Sequence, residues 1–211
     1  MAKRSLVVSK HLIGETVADS TRDRILDEAL RLFADKGYAG TSVAAIEEAA
    51  GLSPHSGALY THFGSKEQVL AAAVERAIGT AETGFALAPM LSLGNLDAEL
   101  TLIARGSLVL LQSWRNLIRV MTKESEQFPA VMAEARTRLF ERSRRFLADW
   151  LAAKSAGDDR DIEAIAAIWL GSLENYWAAT CIYNDPPLDI DEERFIRQWV
   201  VTLRAALGAA P

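Results

Sequence analysis

Cysteine is almost missing from this chain. Cys181 stands alone among 211 residues, so no internal disulfide can form and no cysteine-rich zinc site exists. Its neighbours in sequence are apolar, with no lysine or arginine close by, which predicts a buried, inert thiol. Histidine is scarce as well. His55 and His62 lie two helical turns apart without an evident third ligand, so no metal site is expected. No apolar run approaches the ~20 residues that a membrane span needs; stretches such as Val69–Val74 and Ala164–Gly171 are among the longest. The apolar pieces within Met1–Ser20 are too short for a signal peptide, and the expectation is a cytoplasmic protein with no membrane partner. There is no glycine-rich phosphate loop, no His-Glu-x-x-His and no paired Glu-x-x-His, which argues against an all-helical enzyme and against a cofactor. No Asn-Gly or Asp-Gly turn separates alternating β-branched runs, so strands are not expected.

What is present reads as helix. Ile25, Ala29, Leu32 and Phe33 recur with helical spacing, as do Leu139, Phe140, Phe146, Leu147, Trp150 and Leu151. None of the six prolines interrupts such a stretch. The fold class is all-α, with about nine helices at 21–36, 43–50, 54–62, 66–83, 96–112, 114–127, 129–155, 160–184 and 191–207. Ser65 with Gln68 predicts a capping box, and Pro54 and Pro129 suit first helical positions. Asp161 and Asp191 place negative charge at the positive ends of the last two helices. Residues 1–20 have no sustained period and read as a mobile arm. Residues 21–66 form one unit, 67–83 a connecting helix, and 84–211 a second domain.

The segment Thr41–Lys66, TSVAAIEEAAGLSPHSGALYTHFGSK, is two short helices around a glycine turn. Val43, Ile46, Ala49 and Ala50 give the first a packing stripe, Gly51 ends it, and Ser53 is placed to cap the second. That is the helix-turn-helix pattern, whose second helix enters the DNA major groove. The alternative is a two-helix corner inside a bundle. On the second helix His55, Ser56, Tyr60, Thr61 and His62 can each donate a hydrogen bond, and there is no carboxylate. Gly57 and Ala58 lack bulk, so a nucleic-acid backbone could approach closely.

The net charge of −5 speaks against a DNA partner until it is divided. Residues 1–80 hold 9 basic and 10 acidic side chains, against 14 and 18 in residues 81–211. The acidity therefore sits mostly outside the candidate reader, and within 53–66 the single formal charge is Lys66.

These residues carry a family resemblance. TRDRILDEALRLFADKGYAGTSVAAIEEAAGLS followed by GALYTHFGSKEQVL, spanning Thr21–Val74, resembles the N-terminal domain of the TetR/AcrR family of bacterial transcription regulators. The resemblance covers about a quarter of the chain. It implies a homodimer, a palindromic double-stranded DNA operator, a ligand-binding C-terminal domain and, by analogy, repression. It also implies DNA contacts from Thr41, Ser42, Ser53, His55, Ser56, Gly57, Ala58, Tyr60, Thr61, His62 and Lys66. Of these, Thr41, Tyr60, His62 and Lys66 would hold phosphates, and the start of the second helix would read bases. Two departures stand out. Pro54-His55-Ser56-Gly57 is two residues longer than the family pattern, and Glu47 replaces a small alanine that packs on the second helix. Glu47 either turns to solvent or pairs locally.

All five tryptophans fall in the C-terminal part. Trp114, Leu117, Ile118, Met121, Trp150, Tyr176 and Trp177 are the candidate lining for a small hydrophobic or aromatic ligand, with Arg119, Glu174 or Asn175 as polar contacts. Plain core packing is the alternative for each. Ile165, Trp169, Leu173, Phe195, Trp199 and Leu203 stripe the last two helices and are the candidate dimer seam. Arg136, Arg138, Arg142, Arg144 and Arg145 alternate with glutamates and read as a solvated face. Signals between the two domains would pass along Ser65–Thr83.

Overall fold

The computed structural model describes residues 20–85, 93–155 and 160–208. Most of the arm expected at residues 1–20 lies outside these, as does most of the 84–95 connection. Every regular element among the described residues is helical. The order is α1 (Thr21–Lys36), α2 (Val43–Ala49), a 3-10 turn (Ala58–Thr61), α3 (Lys66–Phe85), α4 (Leu96–Ser113), α5 (Arg115–Glu124) and α6 (Pro129–Arg136). A π turn (Thr137–Glu141) leads into α7 (Arg142–Lys154), then come α8 (Ile162–Trp177), a second π turn (Ala178–Ile182) and α9 (Glu192–Ala206).

Side-chain caps set most of the starts. Ser20 accepts the Asp23 amide, Ser42 that of Ala45, Asn95 that of Ala98, Asp161 that of Ala164 and Asp191 that of Arg194. At α3 the expected box is displaced by one residue. Ser65 Oγ accepts the Gln68 amide at 3.2 Å, but Gln68 Oε1 reaches back to the Gly64 amide at 2.8 Å.

Two expectations about helices need correction. The stretch 129–155 is not one regular α-helix, because it takes a π turn at Thr137–Glu141. The helix expected at 54–62 contracts to the single 3-10 turn Ala58–Thr61, with turn conformation before it. The physical reason lies in His55 and Gly57, both left-handed at φ 63° and 73°, a conformation that a right-handed helix cannot contain.

The N-terminal unit closes on Ile25, Leu26, Ala29 and Phe33 of α1, Ile46 of α2, Leu59 and Phe63 of the turn region, and Val69 and Leu70 of α3, all buried. Arg76 of α3 bridges Asp23 and Asp27 of α1. The rest is a layered bundle in which α8 packs on α7 and α4, and α9 packs on α4. Helix α5 packs along α1, so the second part of the molecule grips the first directly.

Candidate nucleic-acid interface

The outward face of the α2–turn–α3 region is built from exposed hydroxyl and imidazole groups. The side chains of Ser42, Ser53, His55, Ser56, Tyr60, Thr61 and His62 are exposed. Tyr60, an amphipathic side chain, is 56% exposed although its neighbour Leu59 is completely buried. Ser42 and Ser56 accept hydrogen bonds from the Ala45 and Ala58 amides, which leaves each hydroxyl proton free to donate. Gly57 and Ala58 are half-buried behind them.

Three expected donors are turned inward. Thr41 is buried, and its hydroxyl donates to the carbonyls of Gly37 (2.8 Å) and Leu32 (3.2 Å). The Thr61 hydroxyl donates to the Ala58 carbonyl at 2.7 Å. Lys66 Nζ donates to the carbonyls of Tyr38 and Thr41 and stands over the Tyr38 ring. These groups hold the scaffold in shape. The side chains of Thr41 and Thr61 have no proton left for an external phosphate, and Lys66 has two of its three directed inward.

Glu47 settles the alternative left open by the sequence. It does not turn to solvent: it is fully buried, and its two oxygens accept the backbone amides of His55 (Oε2, 2.9 Å) and Leu59 (Oε1, 3.1 Å). Ser53 therefore does not cap the second element; a carboxylate reaching across from α2 does so. Arg22, exposed at the start of α1, was not singled out by sequence and stands 5.0 Å from the ring centre of Phe63, the residue that follows His62. The available signal was its position two residues after the Ser20 cap.

The interface is tied to the rest of the chain at the α1–α2 connection. Glu124 of α5, nearly buried, accepts the Tyr38 amide at 2.8 Å. Lys123 donates to the carbonyls of Ala34 and Asp35, and Arg119 pairs with Asp35. The Tyr38 ring meets Phe128 edge-on at 4.7 Å. Burial, then the nearby Glu67 and Glu124 carboxylates, raise the Tyr38 phenol above its ordinary pKa.

The protein-family model for bacterial regulatory proteins of the tetR family matches residues 25–73, which contain this whole arrangement. The N-terminal domain belongs to the TetR family. Among curated proteins, the chain is similar to the helix-turn-helix transcriptional repressor AcnR of Corynebacterium efficiens, 48% identical over 65 residues, 30% of this chain and 34% of the repressor. The chain thus matches about a third of that relative's length. In fold the likeness extends much further. A Mesorhizobium loti protein assigned to the TetR family of transcriptional regulators superposes with a TM-score of 0.68 at 22% identity, covering 89% of this chain and 95% of that one. The regulator FadR of Bacillus subtilis, solved with stearoyl-CoA, does so with a TM-score of 0.60 at 16% identity, covering 89% and 98%.

Beyond the TetR-family domain, the candidate ligand residues are placed as follows. Trp114, Leu117, Met121, Tyr176 and Trp177 are buried, while Ile118 and Trp150 are half-buried. Tyr176 stacks on Phe195 of α9 at 4.1 Å, whereas the adjacent Trp177 sends its indole N–H to Gln112 of α4. Of the polar candidates, Arg119 is engaged by Asp35 and Glu174 by Arg144, and Asn175 is exposed. Burial raises the Glu174 pKa, with Arg144 opposing.

The candidate dimer residues also divide. Trp169, Phe195 and Trp199 line an open groove of about 540 Å³ between α8 and α9, together with Ile168 and Val201. Ile165 is half-buried. Leu173 and Leu203 are completely enclosed within the single chain and belong to its core, which corrects their assignment to the seam. Ile168 and Val201, 62% and 51% exposed, occupy the open face instead.

Proposed function

We propose that the protein is a ligand-responsive, DNA-binding transcriptional regulator that docks as a homodimer on a palindromic operator and represses transcription there. The observation that carries this reading is the outward face at residues 42–62, where exposed hydroxyl and imidazole groups project from a buried scaffold and residues 53–66 hold no carboxylate. Phosphates accept such donors, and base edges in the major groove accept them too. Ser42, Tyr60 and His62, with Arg22 beside them, are read as phosphate contacts. Ser53, His55 and Ser56, over the thin backbone of Gly57 and Ala58, face the bases. Residues 21–66 act as reader, 67–83 as connecting helix and 84–211 as ligand and dimer domain. The protein is read as a regulator and not an enzyme, acting in the cytoplasm.

Pairing two chains through the α8–α9 groove would cover Ile168, Trp169 and Val201 and set two readers at a fixed separation. The ligand is read as a small hydrophobic or aromatic molecule held in the tryptophan-rich C-terminal domain; the likeness in fold to a regulator that holds stearoyl-CoA supports an apolar ligand. A ligand that favours a different spacing of the readers shifts the population away from DNA.

Selection of bound duplexes from a random pool, followed by mobility shifts over a salt series, tests the reading. A palindromic consensus bound with steep salt dependence is expected. Recovery of no enriched sequence would overturn it.

A further inference from the structure

Glu47 is a carboxylate with no exposed surface. Charge buried in that way is retained only where hydrogen bonds satisfy it. Here both oxygens are taken by backbone amides, those of His55 and Leu59, eight and twelve residues farther on. The first of these amides lies within the Pro54–Gly57 extension and the second just beyond it. Here the chain makes a tight turn: the Ser56 amide donates to the Ser53 carbonyl, and the Ala58 amide donates to Ser56 Oγ. His55 is left-handed at φ 63°, a conformation uncommon outside glycine, though histidine is among the residues that reach it most readily, and here the Glu47 carboxylate holds its amide. The outcome is a small projecting turn whose side chains, Pro54, His55 and Ser56, are all exposed.

We infer that Glu47 is the positioning residue for sequence readout, and that His55 and Ser56, presented on this turn and not on a helix, select the bases. The inference rests on the DNA-binding reading above. The chemistry of the two groups narrows what they select. Ser56 Oγ accepts one hydrogen bond from the Ala58 amide, and its hydroxyl proton is free to donate. The His55 ring has no hydrogen-bond partner among the described residues and, when neutral, carries one N–H donor and one acceptor nitrogen. With both groups donating, the pair matches a base edge that offers two acceptors, which in the major groove is the O6/N7 edge of guanine. Each operator half-site should therefore contain a guanine opposite the turn. The phosphate-facing groups, Ser42, Tyr60, His62 and Arg22, lie outside the turn and do not depend on it.

The test compares operator and random-sequence DNA as probes for the full-length protein and four variants: Glu47→Gln, His55→Ala, Ser56→Ala, and Glu47→Ala combined with removal of His55 and Ser56. Gln keeps one acceptor and presents an NH2 to the other amide, so the turn loosens. Expected is a loss of roughly tenfold or more in operator affinity for Glu47→Gln, with binding to random DNA unchanged. His55→Ala and Ser56→Ala should relax preference at the same guanine position. The shortened Glu47→Ala chain should fold and select a different consensus.

Parallel loss on both probes in Glu47→Gln would mean that the acid only holds the domain together. An unchanged consensus in His55→Ala and Ser56→Ala, whose exposed positions leave the fold intact, would overturn the inference even if Glu47→Gln fails to fold. If the unaltered protein selects no sequence at all, the DNA-binding reading fails first, and that outcome is distinguishable from the others.

Discussion

The ammonium of Lys66 lies 2.8 Å from the carbonyl oxygen of Tyr38 and 4.0 Å from the centre of its ring. One side chain thus caps the end of the α1–α2 connection and packs on its aromatic group. The resemblance implied that this lysine holds a phosphate, and the geometry makes a distinct prediction. Lys66→Met should destabilise the protein by about 1–3 kcal/mol, because two carbonyls lose a charged donor. It should also leave the slope of log affinity against log salt unchanged. Chemical denaturation and salt-series binding measure the two effects; a slope lower by about 0.9 would mean that Lys66 does neutralise a phosphate.

Arg22 provides the contrast. Its guanidinium is exposed and stacks on Phe63, so Arg22→Ala should alter stability by less than about 1 kcal/mol. The salt slope should fall by about 0.9, equally for operator and random DNA. His62→Ala and Tyr60→Phe should weaken both probes alike.

Trp169→Glu or Ile168→Glu should give stable monomers that bind a single half-site, as read by analytical ultracentrifugation. Leu203→Glu should behave differently, because that side chain is wholly enclosed. A buried, unpaired charge there should prevent folding, and Leu203→Ala alone should cost about 2–5 kcal/mol. Stable dimers of the Trp169 and Ile168 variants at micromolar concentration would refute the seam.

Glu99 offers a pH test. Its Oε2 lies 2.7 Å from Lys154 Nζ, and Oε1 accepts the amides of Leu93 and Gly94. The Lys154 hydrogen bond, helped by the two amides and opposed by desolvation, holds its pKa below the usual carboxylate value. A lowered carboxylate pKa stabilises the fold above the unfolded-state value and loses that contribution as pH falls through the folded-state value. Thermal melts should show Glu99→Gln less stable than the parent at neutral pH, with the gap closing as pH falls below the ordinary carboxylate range toward the lowered folded-state value. A gap constant across that range would exclude the mechanism.

The residues that could be interpreted from sequence were those whose effect is local. Asp161 and Asp191 sit at the starts of the helices whose positive ends they were expected to occupy, and the helical stripe of Ile25, Ala29, Leu32 and Phe33 is buried as its period requires. Groups acting over distance were not interpretable in this way. The hydrogen bonds of Glu47 reach eight and twelve residues ahead, and those of Lys66 reach back 25 and 28. Periodicity carries no record of such partners. The helix expected at 54–62 failed for the same reason, since the left-handed His55 is held in place from α2. Leu203 illustrates a different limit: an apolar stripe shows that a face is covered, but not whether its own chain or a second one covers it.

Helix α5 holds Ala34, Asp35 and Tyr38 from one side, while Arg76 of α3 holds Asp23 and Asp27 of the same α1. Helix α1 is thus clasped on two sides, by α3 within its own unit and by α5 from the rest of the chain. On the proposed reading, a change in the C-terminal part that shifts α5 must carry α1 and the Tyr38 segment with it, and a cross-link between α5 and the Tyr38 segment should leave that coupling intact while blocking any separation of the two.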